Sequence, residues 1–125
     1  MPKVSHPKLP DMPVSHLPFS PVVRVDDMLY VSGQASVDDH GKIVTGDFEG
    51  EFKRCVKNLE RILIAAGSDL EKVVQTRCYV DNPEDLPEFN RLYAETFKAP
   101  YPARTTILQC FNGVLKFEID CVAVV

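Results

Sequence analysis

Hydrophobic residues recur along this chain at two spacings, and each spacing predicts a different kind of element. Apolar side chains three and four residues apart predict one helix over about 48–66 and a second from residue 84 or 86 to 97. Gly67 suits the C-terminal cap of the first helix, and the capping-box spacing of Ser68–Glu71 predicts one extra turn. The side chains predicted to face inward are Phe48, Phe52, Val56, Leu59, Leu63 and Ala66, then Phe89, Leu92, Tyr93 and Phe97.

Short runs of β-branched and aromatic residues predict six strands. These runs are the two halves of 22–32 around Asp26-Asp27, a segment after the polar turn at 38–41, 73–80, about 104–110 and about 115–124. We expect the last two to form a hairpin, because Asn112-Gly113 is a favourable turn pair. The order β-β-β-α-β-α-β-β predicts an α+β fold, with a mixed sheet and both helices on one face.

The other face of the predicted sheet has no cover within the chain. In the last strand the residues that alternate toward one side are all apolar: Phe117, Ile119, Cys121 and Ala123. The residues on the other side are half acidic and half apolar: Glu118, Asp120, Val122 and Val124. A subunit interface with a polar cleft suits this mixture better than solvent or a core does. The pattern therefore predicts an oligomer.

Composition favours a single globular domain over residues 1–125, since 45% of the residues are hydrophobic and 26% are charged. Six of the ten prolines lie in residues 1–21, so we expect the N-terminal segment, residues 1–17, to be extended. The net charge of −4 disfavours a nucleic-acid platform. No apolar run has the length of a membrane span or a signal peptide, which predicts a cytoplasmic protein with no membrane partner.

The cysteines and histidines predict neither disulfides nor a metal site. Each cysteine lies in an apolar, regular segment outside any C-x-x-C pair, which predicts buried free thiols: Cys55, Cys78, Cys110 and Cys121. The histidines lie in loop-like surroundings without an H-x-x-x-H pair: His6, His16 and His40.

Arg104 is the only charged residue in the stretch YPARTTILQC, at the mouth of a predicted strand. A guanidinium can hold a carboxylate through two parallel hydrogen bonds, which fixes its orientation as well as its charge. Strand alternation places Thr106 on the same face as Arg104. The alternative is a structural arginine that reaches water or makes an ion pair.

Glu118 is the only glutamate in the last predicted strand, where it alternates with apolar residues. Partial burial would raise its pKa, which suits proton transfer. The alternative is a structural partner for an arginine or lysine.

The segment YVSGQ, Tyr30–Gln34, offers a hydroxyl at Ser32 and close approach of a ligand at Gly33. The alternative is a plain strand that ends at a glycine bend. No histidine is suitably placed to activate a serine nucleophile. Asn90 lies between core positions of the second predicted helix, where surface polarity explains it equally well.

Together these segments resemble the reactive intermediate deaminase family, also called RidA/YjgF, from about residue 18 to 124. The resemblance rests on VSGQ, AAGSDLEKVVQTRCYV, FNRLYAETF, YPARTT and FEIDCVAV. It implies a chorismate-mutase-like fold and a homotrimer whose sheets form a central barrel, with clefts between subunits. The implied activity is that of 2-iminobutanoate/2-iminopropanoate deaminases. These hydrolyse enamines and imines such as 2-aminoacrylate and 2-iminopropionate to 2-oxo acids and ammonia, without cofactor or metal.

By position, the resemblance implies that Arg104 holds the substrate carboxylate and that Glu118 orients the attacking water. It implies that Ser32 and Gly33 line the pocket and that Asn90 lies near it. An iminium carbon is already electrophilic, so the site needs an anchored carboxylate, a positioned water and a proton route rather than a strong nucleophile.

Two positions depart from the family pattern. Phe19 stands where the family has a tyrosine, so a pocket hydroxyl is missing. Thr106 stands where the family has a cysteine, and its backbone carbonyl can still hold the water. The alternatives to a deaminase are a non-catalytic binder of small carboxylates, an RNA-directed role (ribonuclease or translation inhibitor) and a chaperone-like role. The net charge and the lack of a basic and aromatic stripe disfavour the RNA-directed role.

Overall fold

The computed structural model describes residues 1–10, 12 and 15–125. Two helices are present, α1 (Phe48–Ala65) and α2 (Leu86–Phe97). The strands are β1 (Val4–Ser5), β2 (Val22–Val25), β3 (Met28–Ala35), β4 (Val73–Val80), β5 (Ala103–Leu108) and β6 (Phe117–Val124). Single 3₁₀ turns precede β4 at Leu70–Lys72 and α2 at Pro83–Asp85. Neither helix in the described residues is long and apolar enough to cross a membrane.

The strands form one mixed sheet in the order β1-β2-β3-β6-β4-β5. Only β4 and β5 are parallel, because α2 carries the chain from one to the start of the other. Both helices pack on the same face, where the ring of Phe117 lies 4.8 Å from Phe52 of α1 and 5.6 Å from Phe89 of α2. The predicted α+β architecture, with its helices on one face, is therefore confirmed.

The segment predicted as the third strand does not form one. It contributes only an isolated bridge between Val37 and Ile43. The Asp38 carboxylate accepts the backbone N–H groups of His40 and Lys42 at 2.9 and 3.0 Å, so donors that a strand ladder would use are taken by a side chain. The sixth strand of the sheet is instead β1, which lies inside the N-terminal segment expected to be extended and pairs with β2. Part of that expectation falls on residues 11, 13 and 14, outside the described residues.

The predicted hairpin between the last two strands is wrong. Asn112 and Gly113 do form a tight turn with φ of 51° and 83°, and the Val114 N–H donates to the Phe111 carbonyl at 3.0 Å. However, β4 lies between β5 and β6. The crossover through α2 places β5 on one side of β4, and β6 takes the other side.

The end of β5 and the turn before β4 correct two further predictions. Because β5 ends at Leu108, Cys110 lies in the following loop and is exposed, whereas the other three thiols are buried as expected. The 3₁₀ turn is capped by Asp69, which accepts from the Glu71 N–H at 2.8 Å. Ser68 does not cap it, because its hydroxyl donates to the Val124 carbonyl at 2.5 Å.

The face of the sheet opposite the helices is left open by the described part of the chain. Glu118, Asp120, Val122 and Val124 are all partly exposed there, and Tyr30 on the neighbouring β3 is exposed. This open face carries acidic and apolar side chains together, as the alternation along the last strand predicts.

Candidate functional site

Arg104 lies near the start of the edge strand β5, on the face that carries the helices. Its guanidinium carbon is 4.8 Å from the ring centres of both Phe89 and Tyr93 of α2. The Tyr93 hydroxyl is held at 2.8 Å from the hydroxyl of the buried Thr76, which is the β4 neighbour of Arg104. Two fixed rings therefore support one side of the guanidinium through cation–π attraction.

The N–H groups of Arg104 make no hydrogen bond in the described part of the chain, so they can bind an anion. Within the described residues no carboxylate lies within ion-pair distance of its guanidinium. Arg104 therefore makes no structural ion pair with these residues, which was the alternative to an anion-binding role. Thr106 is on the same face two residues further along β5 and is partly buried. Asn90 is exposed on α2, three residues before Tyr93, so it is a neighbour of Tyr93 on the helix surface.

Glu118 lies on β6, on the open face of the sheet, and its carboxyl packs against Gly33 of β3. A Cβ atom built on Gly33 would lie 2.5 Å from Oε1 and 3.2 Å from Cδ of Glu118. The glycine is therefore required by the close approach of a carboxylate, and not only by a strand end. A bulge in β3 between Val31 and Gln34 brings Gly33 to this position.

The carboxyl of Glu118 accepts no hydrogen bond and makes no ion pair within the described residues. Burial raises its pKa above the usual value of a glutamate, and the negative charge of Asp120 raises the pKa further. This direction agrees with the expectation from partial burial. The lone pairs of the carboxyl are therefore not engaged by the described part of the chain.

Hydrogen bonds from Ser32 hold the segment before β2 against β3. The Ser32 hydroxyl donates to the Ser20 carbonyl at 2.6 Å, and its backbone N–H donates to the Pro21 carbonyl at 2.9 Å. These bonds tie the segment containing Phe19 to β3. Phe19 is exposed and lines, together with Gly33, a cavity of about 580 Å³ that is also lined by Asn58 and Ile62 of α1.

The predicted site residues fall into two groups on opposite faces of the sheet. Arg104, Thr106 and Asn90 lie on the helix side, whereas Glu118 lies on the open face beside Gly33. Since β4 separates β5 from β6, the two backbones are about 10 Å apart. One chain therefore does not bring Arg104 and Glu118 onto the same small molecule.

Sequence reasoning missed two features of these surfaces. Phe89 and Tyr93 were expected only as core residues, whereas they also support Arg104. On the open face, Arg77 Nε and the Tyr79 hydroxyl both donate to the Asp120 carboxylate, at 3.0 and 2.7 Å. The alternation of 73–80 and of 117–124 places these three side chains on one face, and that signal was present in the sequence.

Metal-binding side chains are not clustered in the described part of the chain. Across residues 1–10, 12 and 15–125, no three histidine, cysteine, aspartate or glutamate side chains are grouped as a metal site requires. The absence of a metal and of a cofactor stays a prediction.

Comparison with known proteins gives relatives over almost the whole chain. The family described as endoribonuclease L-PSP matches residues 10–125. The RutC family protein y4sK of Sinorhizobium fredii is 38% identical over 118 residues, which are 90% of each chain. The human 2-iminobutanoate/2-iminopropanoate deaminase is 35% identical over 109 residues, covering 86% of this chain and 80% of the human one.

A solved structure gives the same result for the fold. The crystal structure of YyfA from Yersinia pestis, of the Rid protein family, superposes with a TM-score of 0.89 over 98% of this chain and 100% of its own, at 28% identity. Such agreement covers the mixed sheet and both helices. The chain therefore belongs to the endoribonuclease L-PSP family, which is the RidA/YjgF family of its sequence resemblance.

Proposed function

We propose that this protein is an imine and enamine deaminase that hydrolyses 2-imino acids of the 2-iminopropionate type to 2-oxo acids and ammonia. The observation that carries the proposal is that Arg104 and Glu118 are both ionisable and both without a charged partner in the described residues. The human relative named as a 2-iminobutanoate/2-iminopropanoate deaminase supports it.

In the proposed reaction Arg104 binds the substrate carboxylate through two N–H groups, with its opposite side resting on Phe89 and Tyr93. Glu118 accepts a proton from a water molecule as the water oxygen attacks the imine carbon. That proton passes to the nitrogen, which gives the neutral carbinolamine. The hydroxyl proton then passes through Glu118 to the nitrogen as the C–N bond breaks, and a carbonyl and ammonia form. The backbone carbonyl of Thr106 holds the water, and the scheme uses neither metal nor cofactor.

We further propose that the site forms between subunits of a homotrimer. The opposite faces of Arg104 and Glu118 support this, because only a second chain can place one residue against the other. The open face, with Val122 and Val124 partly exposed beside two carboxylates, supplies a surface for that contact. Ser32, Gly33 and Phe19 then line the cleft on the Glu118 side, and Asn90 lines it on the Arg104 side. A single domain over residues 1–125 and a cytoplasmic location complete the proposal.

The reaction is tested by coupling an amino-acid oxidase, which generates the imine, to this protein and following imine loss. We expect Arg104→Ala and Glu118→Gln each to lower kcat/KM by about a hundredfold or more, because each removes a contact made to the reacting molecule. Lys98→Ala is the matched control, since this exposed residue follows α2 and carries no proposed role. If wild type and Arg104→Ala remove imines of several amino acids at the same rate as buffer, the deaminase proposal is wrong.

A second candidate is a non-catalytic binder of small carboxylates, favoured by the unpaired guanidinium on its aromatic support. Calorimetry with a 2-oxo acid separates the two candidates: binding that is lost in Arg104→Ala, by a wild type that removes no imine, would favour the binder. The RNA-directed alternative is disfavoured by the net charge of −4.

A further inference from the structure

Four polar side chains form a two-by-two array on the open face of the sheet. In the antiparallel pairing of β4 with β6, Tyr79 lies directly opposite Glu118, and Arg77 lies directly opposite Asp120. Direct and diagonal neighbours in such a ladder are within reach of long side chains. The register therefore allows both Arg77 and Tyr79 to donate a hydrogen bond to the carboxyl of Glu118 or to that of Asp120.

Both donors are directed to one of the two carboxyl groups. Arg77 Nε donates to Asp120 Oδ1 at 3.0 Å, and the Tyr79 hydroxyl donates its only proton to Asp120 Oδ2 at 2.7 Å. The Asp120 side chain is only 14% exposed, whereas that of Arg77 is 60% exposed. Asp120 is thus the anchored member of the array, and Glu118 receives neither donor.

No other described element supplies a positive charge to Glu118. On β3 the residue paired with Glu118 is Ala35 and the carboxyl contacts Gly33, whereas the paired residue on β4 is Tyr79. From the loop after β5 and from α1, the groups that interact electrostatically with Glu118 are the thiols of Cys110 and Cys55. Thiols are mainly neutral at pH 7, and desolvation raises the pKa of both further, so neither brings a charge. Asp120 is the one charged residue acting on Glu118 from within this part of the chain.

We propose that Asp120 is a positioning residue that holds Arg77 and Tyr79 away from Glu118, so that Glu118 stays unpaired and able to exchange a proton during the reaction. This inference rests on the proposed deaminase activity. Without Asp120, the diagonal Arg77 is free to pair with Glu118, which would fix the carboxylate in its charged form and occupy its lone pairs. With Asp120 present but Arg77 removed, Glu118 faces an uncompensated negative charge.

Two substitutions should move the pKa of Glu118 in opposite directions. Asp120→Asn removes a negative charge and releases Arg77, so the pKa falls; Arg77→Met leaves Asp120 uncompensated, so the pKa rises. Because a general base acts when deprotonated, the acid limb of the kcat/KM profile moves to lower pH in Asp120→Asn and to higher pH in Arg77→Met, by about 0.5 to 1 pH unit each. Tyr79→Phe is the control: it removes a hydrogen bond but no charge, so its shift should be the smallest.

A second measurement does not depend on activity. In protein labelled with ¹³C at glutamate carboxyl groups, the Glu118 resonance, assigned by its loss in Glu118→Gln, gives the pKa of this group by NMR titration. If wild type removes no imine, the proposed function fails, but the opposite shifts in the titration still test the array. Equal shifts in the same direction, or no shift in either variant, would overturn the inference. Arg77 is largely exposed, so Arg77→Met gives a result even if Asp120→Asn does not fold.

Discussion

The Glu118 carboxyl occupies the space that a side chain at residue 33 would need. The φ of Gly33 lies outside the left-handed region, so its backbone accepts alanine and the conflict is with the carboxyl alone. Glycine is needed at this position because it lacks a side chain, and not because its backbone is flexible.

We expect Gly33→Ala to lower kcat/KM for imine hydrolysis about tenfold or more, because the Glu118 carboxyl must turn away from the added methyl group. The free energy of unfolding should change by less than about 1 kcal/mol, since Gly33 is exposed. Chemical denaturation and the oxidase-coupled assay measure the two effects. Gly46→Ala is the matched control, because a Cβ there meets nothing within 4 Å. Full activity in Gly33→Ala would show that the position of this carboxyl is unimportant.

The sequence identified the candidate site residues that are charged and have apolar neighbours. Arg104 is the only charged residue of its strand and Glu118 alternates with apolar residues, and both contrasts are visible without coordinates. Phe89 and Tyr93 look like any other inward positions of a helix, so their contact with Arg104 depended on knowing which face of β5 meets α2. The donors of Asp120 required the register of β4 against β6.

At the scale of elements, Asp81 at the end of β4 holds the loop that leads into β6. Its Oδ1 accepts from the Phe111 N–H at 2.8 Å and its Oδ2 from the Gly113 N–H at 2.9 Å. Its own N–H donates to the Lys116 carbonyl at 3.1 Å, one residue before β6 begins. The carboxylate thus sets where β6 enters the sheet, and with it the position of Glu118.

Replacing Asp81 with alanine should lower the free energy of unfolding by about 1 to 2 kcal/mol, because two backbone donors lose a charged acceptor. Urea denaturation followed by circular dichroism measures the change. Asp85→Ala is the comparison, since the Asp85 side chain makes no capping hydrogen bond and its loss should cost less than about 1 kcal/mol. Equal stability of the two variants would mean that the loop is held by other contacts.

Local periodicity explains which elements were predictable. Both helices and β4 match within a residue or two, because their side-chain spacing is set by the elements themselves. The pairing of β5 and β6 was mispredicted, because a turn such as Asn112-Gly113 reports local chain reversal and not which strand occupies the neighbouring position. The predicted third strand does not form for a local reason, because the Asp38 side chain accepts hydrogen bonds from backbone N–H groups of that segment.

At the scale of the whole molecule, the separation of Arg104 from Glu118 allows a test of the proposed assembly. Arg104→Ala and Glu118→Gln, each inactive alone, should regain activity when unfolded together in equal amounts and refolded as a mixture. If each site takes Arg104 from one subunit and Glu118 from its neighbour, about one quarter of the sites recover both groups. Wild type refolded in the same way sets the scale of the assay, and sedimentation gives the number of subunits. No recovery from a mixture that assembles normally would place both groups within one chain.

The placement of Arg104 and Glu118 on opposite faces also bears on how such an enzyme behaves when it is scarce. In the proposed trimer the catalytic unit is the contact between two chains, so dilution below the dissociation constant of the trimer removes active sites without unfolding any subunit. Specific activity would then rise with the concentration of the protein itself. A substitution on the open face far from the substrate would reduce turnover by dissociating subunits, and added protein would restore it.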